Sequence, residues 1–312
     1  MGSKAMADES GRAKRYKTAR ALEMALKEAA RRSGRDVNRA MADFWHGRLL
    51  ERVFSEDDPS FVLKGGRGML ARTPSARYTR DTDMAYGGAD ADEAVSELRR
   101  LAAIDLGDHV EYRFMSESPI VEDQDYRDGR RVVFRCVLGG TKKVADVSVD
   151  VVVSDVPLLG VERIEPATRL AVAGIPTFDY LVYPVDESVA DKVCATMSTY
   201  RGGMPSSRVR DLVDLVIYLT TEQMDGNRLS ACLLRELRMG HMGEGRPFSV
   251  PDSWKGPFEP TYLKLAKECG LPAEFREVGA AEQMVAGCVN AALDGSSEGR
   301  RWDASSLCWR DR

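Results

Sequence analysis

The pattern of hydrophobic and polar positions changes near residue 185. Before that point, some segments repeat apolar residues at helical spacing and others alternate apolar with polar residues, as strands do. After that point, only the helical spacing recurs. The order of segments predicts an α+β fold with a mixed β-sheet in residues 1–185, followed by an all-helical lobe in residues 186–312.

The individual elements follow from the same pattern. In the first lobe, helices are expected over 12–32, from 36 to about 55, over 67–72 and from 90 to about 101. Strands are expected at 61–63, 110–114, 131–138 and 144–153, with an extended segment at 77–85 and a hairpin turn at 139–141. In the second lobe, helices are expected at 186–199, 206–221, 228–240, 258–269 and 279–293, and a polar tail begins at 294–299.

Composition narrows the class of protein. The chain has 312 residues, of which 43% are hydrophobic and 30% charged, and no apolar run approaches the roughly 18 residues of a membrane span. The first residues lack the apolar stretch of a secretory signal. Six cysteines without a CxxC pair indicate reduced thiols and a cytoplasmic protein. Since there are only three histidines, we expect the chemistry to depend on carboxylates, lysine and backbone groups.

Two aspartates lie two residues apart on the predicted strand that follows the short helix. Strand geometry places Asp81 and Asp83 on the same side, about 7 Å apart. Paired carboxylates can hold two divalent ions at a phosphoryl centre, and Mg²⁺ suits an all-oxygen site. Such a pair by itself is more often just a solvated strand end.

A glycine pair strengthens the case for a site. Lys64, Gly65 and Gly66 stand between a strand and a helix, and fourteen residues separate Gly66 from Asp81. Free backbone N–H groups at a helix start suit a triphosphate. The alternative is a turn that needs glycine only for a positive φ angle.

A third carboxylate is expected on the neighbouring strand. In 144–153, Asp146 and Asp150 alternate with buried valines, and Asp150 lies deeper in the apolar run. An unpaired carboxylate there would be costly. We therefore choose Asp150 as the third metal ligand or the base near the acceptor hydroxyl, with Asp146 as the alternative. A strand with a solvated face would explain both without a site.

The helical lobe holds a second group of charges. Arg208 precedes Asp211 by three residues and Arg210 precedes Asp214 by four, on a predicted helix. The residues alone favour two surface ion pairs, which contribute only a few tenths of a kcal/mol each. The alternative places Asp211 at the edge of a cleft, where it holds Lys192 or an arginine against nucleotide phosphates.

Together these residues resemble the AbiEii-type nucleotidyltransferase toxins of the polymerase-β-like superfamily. The first block is the run from Phe61 to Gly66 followed by Asp81-Thr82-Asp83, with Arg77 and Thr79 just upstream. The second block is Lys192 with Arg208, Asp211 and Asp214. The resemblance spans about residues 36–221. The chain departs from the family at Thr82 and Met84, and it has Arg210 where some members have lysine.

The resemblance implies a polymerase-β-like nucleotidyltransferase lobe and the toxin of a bacterial toxin–antitoxin pair, which moves a nucleotide from an NTP to a tRNA 3′ end. Its partners would be the NTP, the tRNA and a cognate antitoxin, with no membrane. Asp81 and Asp83 would hold Mg²⁺, with Asp150 as the third ligand or activator of the RNA hydroxyl. The nucleotide would lie against Lys64, Gly65, Gly66, Thr79 and Lys192, with Asp211 supporting that lysine.

An RNA acceptor would need a basic lining in spite of the net charge of −4. The arginines chosen for it are Arg77, Arg80, Arg208 and Arg210, with Arg67, Arg72, Arg201, Arg235 and Arg238 as further members. Trp254 and Lys255 could stack on a terminal base. Two other functions stay open: transfer to a hydroxyl of a small molecule or protein, and a nucleotide-binding interaction protein without turnover.

Overall fold

The first lobe is built on a seven-stranded mixed β-sheet. The structure is a computed structural model, and it describes residues 16–74, 76–79, 81–120, 128–154, 160–243 and 246–312, without the side chain of Arg201. The strands are β1 (Phe61–Lys64), β2 (Thr82–Tyr86), β3 (Val110–Pro119), β4 (Gly129–Leu138), β5 (Lys142–Val153), β6 (Glu162–Ile164) and β7 (Tyr180–Val182). Their order is β3-β4-β5-β2-β1-β7-β6. The pairs β2–β5 and β1–β7 are parallel, and the other pairs are antiparallel.

Helices surround this sheet and form most of the second lobe. The first lobe contains α1 (Ala19–Arg32), α2 (Val37–Val53), α3 (Gly65–Arg72) and α4 (Ala91–Ala102). The second contains α5 (Val185–Met197), α6 (Val209–Thr221), α7 (Gly226–Met239), α8 (Glu259–Glu268) and α9 (Val278–Leu293). None of the helices in the described ranges combines the length and apolar character that crossing a bilayer requires.

Within the described residues, the buried apolar side chains form two clusters. One lies between the sheet and the helices α1, α2 and α4. The other is formed by the helices that follow Val185 and by Trp254 and Trp302, and it also receives Met69 from α3. Because α3 lies next to the strands and contributes to the second cluster, it stands at the junction of the lobes. The division into domains at residue 185 stays a prediction.

The expected α+β class with a mixed sheet is confirmed, and so are the five helices of the second lobe within a few residues. The first helix begins at Ala19, where Thr18 caps it, and the positions expected to be helical before Tyr16 lie outside the described residues. Strands β6 and β7 were not predicted, since each has only three residues and carries no clear alternation.

The expectation that no strands follow Val185 is wrong. The second lobe contains a ribbon of β8 (Thr199–Tyr200) with β9 (Met204–Pro205). It also contains a small sheet of β10 (Met224–Asp225), β11 (Arg300–Asp303) and β12 (Cys308–Asp311). The expected polar tail is therefore a hairpin, and Trp302 from it is only 2% exposed and donates to the carbonyl of Leu219.

Candidate active site

Four charged residues lie side by side across the centre of the sheet. Lys64 on β1 is the register partner of Asp83 on β2, and Asp83 is the partner of Asp150 on β5. Asp150 is in turn the partner of Arg131 on β4. The side chains of register partners point to the same face of a sheet. The fold thus brings two of the three predicted carboxylates together, between two cations.

Strand alternation explains why these carboxylates lie at a partly open face. On β5, Val147, Val149 and Val151 are at most 1% exposed and face the core, whereas Asp150 points the other way and is partly exposed. Asp81 is exposed and precedes β2 directly, with the same parity as Asp83. Asp146 is exposed and forms ion pairs with Lys143 and Arg135. The structure therefore places Asp150, and not Asp146, beside Asp83.

The first glycine of the pair is required by close contact as well as by conformation. Gly65 has a φ of +62°, and a Cβ built there would lie 2.0 Å from Oδ2 of Asp83. A Cβ at Gly66 would lie 3.1 Å from the side chain of Thr79. Only glycine lets the start of α3 approach Asp83 this closely. The two expected halves of the site, the glycine pair and the acidic strand, are in direct contact.

The pKa of Asp83 is raised above its usual value. Burial is the main cause, and the nearby carboxylates of Asp150 and Asp81 raise it further. The cations Lys64 and Lys192 lower the pKa and so offset part of the effect. Lys192, a residue of the helical lobe, lines the same cavity as Asp83. A carboxylate in these surroundings is stabilised by a further cation.

Lys192 is held in place by two fully buried aspartates. Its Nζ donates to Oδ2 of Asp214 at 2.6 Å and to Oδ1 of Asp211 at 3.2 Å. Arg208 donates to Asp211 at 2.6 Å, and Arg77 binds both oxygens of Asp214 at 2.9 and 3.0 Å. These five side chains form one network, which we call the lysine network. It carries three positive and two negative charges, so its net charge suits an anionic ligand.

The lysine network overturns the interpretation as two surface ion pairs. Asp211 and Asp214 are both 0% exposed, and Asp214 binds Lys192 and Arg77. Arg210 is exposed, and the described ion pairs do not join it to Asp214. Burial alone would lower the pKa of Lys192, but the attraction of Asp214 and Asp211 outweighs this effect and raises the pKa. The lysine therefore keeps its charge at neutral pH.

A cleft of about 590 Å³ separates the acidic strands from the lysine network. Lys64, Gly65, Asp83 and Asp150 line the side formed by the sheet. Lys192 and Arg208 line the side formed by the helical lobe, together with Tyr200 and Met204 of the β8–β9 ribbon. Six of the predicted residues thus line one cavity, whereas Gly66, Thr79, Asp81 and Asp211 are not among its lining residues. A cleft of this size can hold a nucleotide.

The carboxylate oxygens of the cleft suit a hard divalent ion but do not by themselves form a complete coordination site. Within the described ranges, no group of three His, Cys, Asp or Glu residues is placed to hold a metal ion. Asp83 and Asp150 are register partners, and burial together with the nearby carboxylates of Asp150 and Asp81 raises the pKa of Asp83. Mg²⁺ is usually bound by one or two carboxylates together with substrate phosphates and water, so two adjacent aspartates fit it.

Several residues expected to contact RNA have partners within the protein. Arg77 belongs to the lysine network, Arg67 is paired with Asp43, Arg72 with Glu162 and Arg235 with Glu187. Trp254 is 0% exposed and donates to the carbonyl of Ser206, so it cannot stack on a base. Lys255 is paired with Glu282, and Arg80 lies outside the described residues. Arg208, with 42% of its side chain exposed, remains at the cleft.

Arg131 is a further residue of the site that was not predicted from the sequence. Its Nε and Nη2 donate to the two oxygens of Asp150 at 2.7 and 2.6 Å. The sequence does contain a signal for it, because the predicted hairpin turn at 139–141 pairs β4 with β5. With one shift of register, between Cys136 and Val137, this pairing places Arg131 opposite Asp150. Tyr200 and Met204 were missed because their ribbon is only two residues long on each side.

Comparison with known proteins gives one family match. The family described as nucleotidyl transferase AbiEii toxin, type IV TA system, matches residues 48–279. JHP933 from Helicobacter pylori is similar in structure, with 14% identity and a TM-score of 0.43 over 80% of this chain and 91% of that chain. A second H. pylori structure, described as a candidate nucleotidyltransferase, has 14% identity and a TM-score of 0.45 over 82% and 96%. No curated protein matches the chain.

Proposed function

The chain belongs to the AbiEii family of nucleotidyltransferase toxins of type IV toxin–antitoxin systems, and from this premise we propose its reaction. The protein transfers a nucleoside monophosphate from an NTP to an RNA 3′ end, with the tRNA acceptor end as target, and requires Mg²⁺. Its further partner is a cognate antitoxin. The observation that supports this most is the contact of Gly65 with Asp83 in the same cleft that Lys192 lines.

The triphosphate would lie between the start of α3 and the lysine network. The first N–H groups of α3 have no partners inside the helix and carry its positive dipole end. Lys64 and Lys192 add two positive charges on opposite sides of the cleft. Since Asp211 and Asp214 fix Lys192, its charge is already in position when the ligand arrives, which is the preorganisation that electrostatic catalysis requires.

The acidic strands would serve the reacting atoms. Asp83 and Asp150 would hold Mg²⁺, with Asp81 nearby at the start of β2, and the ion would neutralise charge between the triphosphate and the attacking hydroxyl. Asp150 would lie near that hydroxyl and accept its proton. A bond forms between the RNA 3′ oxygen and the α-phosphorus, the bond from that phosphorus to the bridging oxygen breaks, and pyrophosphate leaves.

Incubation of the full-length protein with α-phosphate-labelled NTPs and total RNA tests the proposal. We expect label in RNA of tRNA size with the unaltered protein and with Asp146→Asn, which removes an exposed carboxylate of β5 outside the cleft. Asp83→Asn is expected to abolish the label. Label that enters only protein or small molecules would contradict the RNA acceptor. Growth inhibition that persists in Asp83→Asn would indicate a toxin that acts by binding alone.

A further inference from the structure

Arg131 forms a two-bond ion pair with a carboxylate of the proposed metal site. Its guanidinium donates to both oxygens of Asp150, at 2.7 and 2.6 Å. The side chain of Asp150 is 16% exposed, while that of Arg131 is 51% exposed at the edge of the site. An arginine fork of this kind matches a carboxylate in geometry and in charge. In the structure, Arg131 is therefore the cation that compensates Asp150.

A divalent ion at Asp150 and this ion pair oppose each other. A carboxylate has about four lone-pair sites, and the fork uses one on each oxygen. A metal ion bound at the remaining lone pairs would lie next to the positively charged guanidinium and would be repelled by it. Because Arg131 is half exposed, its side chain can turn into solvent at little cost, whereas Asp150 is fixed on β5 between two paired strands.

A purely structural cross-strand pair is the alternative, and the same two strands contain an example of one. Arg135 on β4 is the register partner of Asp146 on β5 and lies 3.3 Å from it. The side chains of Arg135 and Asp146 are 38% and 42% exposed, and neither residue lines the cleft. Arg131 differs because its partner Asp150 lines the cleft and is the register partner of Asp83.

We propose that Arg131 is an internal counter-ion of the acidic site, which weakens metal binding to the nucleotide-free protein and releases Asp150 when metal and nucleotide bind. Arg131 is thus a positioning residue that acts through Asp150. This inference rests on the metal site of the proposed function. It predicts that removal of the guanidinium strengthens metal binding, whereas loss of a merely structural pair would leave binding unchanged or weaken it.

The role of Arg131 can be tested by titrating the nucleotide-free full chain with Mn²⁺ and measuring the free ion by electron paramagnetic resonance. We expect Arg131→Gln to bind Mn²⁺ about five-fold more tightly than the unaltered protein, which corresponds to the upper range for an exposed ion pair. Arg135→Gln, the matched control, should bind as the unaltered protein does. Arg131→Lys keeps the charge without the fork and should give an intermediate affinity, so two variants test the inference.

The outcomes separate this inference from the proposed function. Asp83→Asn should weaken Mn²⁺ binding at least ten-fold. If Asp83→Asn weakens binding but Arg131→Gln and Arg131→Lys leave it unchanged or weaker, the role of Arg131 is refuted and the metal site stands. Equal tightening in Arg135→Gln would also refute it, since the effect would then be one of general charge. If Asp83→Asn has no effect, the metal site itself is refuted.

Discussion

Replacement of Gly65 by alanine perturbs the contact on which the site depends. The residue has a φ of +62°, and a left-handed alanine costs about 1–2 kcal/mol. The new Cβ would lie 2.0 Å from Oδ2 of Asp83 and 2.8 Å from its Cγ. The carboxylate must therefore move by more than about 1 Å, and a displacement of that size can reduce the rate of a catalysed reaction about 10²-fold.

Gly34→Ala is the matched control for this substitution. Gly34 has a φ of +71°, and no atom lies within 4 Å of a Cβ built there. Gly34→Ala should lose about 1–2 kcal/mol in the free energy of unfolding, measured with urea, and Gly65→Ala should lose at least as much, because Asp83 must also move. Only Gly65→Ala should lose nucleotide transfer, measured as kcat/KM with labelled NTP. Equal kcat/KM for the two variants would refute the contact between the glycine and Asp83 as a part of the site.

Three further predictions concern single side chains. Asp83→Asn should abolish transfer and raise the Tm of the metal-free protein, because the raised pKa of Asp83 means that its charge destabilises the folded state at neutral pH. The gain in Tm should shrink as the pH falls toward about 4, where the carboxyl group takes up a proton. A lower Tm in the variant would contradict this. Lys192→Met should lower the free energy of unfolding by about 3 kcal/mol and raise the KM for NTP, since it leaves two buried aspartates with one partner each; an unchanged KM would remove Lys192 from the nucleotide site. Trp302→Ala should cost about 3–5 kcal/mol in urea unfolding, whereas a polar tail would show no loss.

The acidic half of the site could be predicted because its signals are local. A strand, two glycines and a helix stand close together in the sequence, and strand parity alone places Asp81 with Asp83 and separates Asp150 from the buried valines. The register of β2 with β5 then decides between the two candidate aspartates of β5, because Asp150 pairs with Asp83 and Asp146 does not. These relations depend on backbone geometry, which the residue pattern determines directly. The catalytic roles of these residues stay predictions.

The lysine network could not be predicted from spacing on one helix. Arg208 with Asp211 and Arg210 with Asp214 have the spacing of surface pairs, and only the packing of α5 on α6 shows that Lys192 replaces Arg210 as the partner of Asp214. Arg77 joins from the connection before β2, 137 residues away in the chain. Long-range contacts of this kind leave no periodic signal in the sequence.

The terminal hairpin was missed for a related reason. The segment before it, 294–299, consists of two glycines, two serines and two acidic residues, which is typical of a loop, and β11 and β12 have only four residues each. Their stability comes from tertiary contacts: Trp302 donates to the carbonyl of Leu219, and Trp309 to the carbonyl of Cys288. A short strand whose one large side chain packs on a distant helix is therefore not visible in a local pattern.

A crystal structure with Mn²⁺ and a non-hydrolysable NTP tests most directly whether the glycine pair, the acidic strands and Lys192 act on one ligand. We predict an anomalous peak bonded to Asp83 and Asp150, with the side chain of Arg131 turned away from Asp150. The triphosphate should lie between the start of α3 and Lys192. A metal peak away from both aspartates, or a triphosphate bound outside this cleft, would contradict the account.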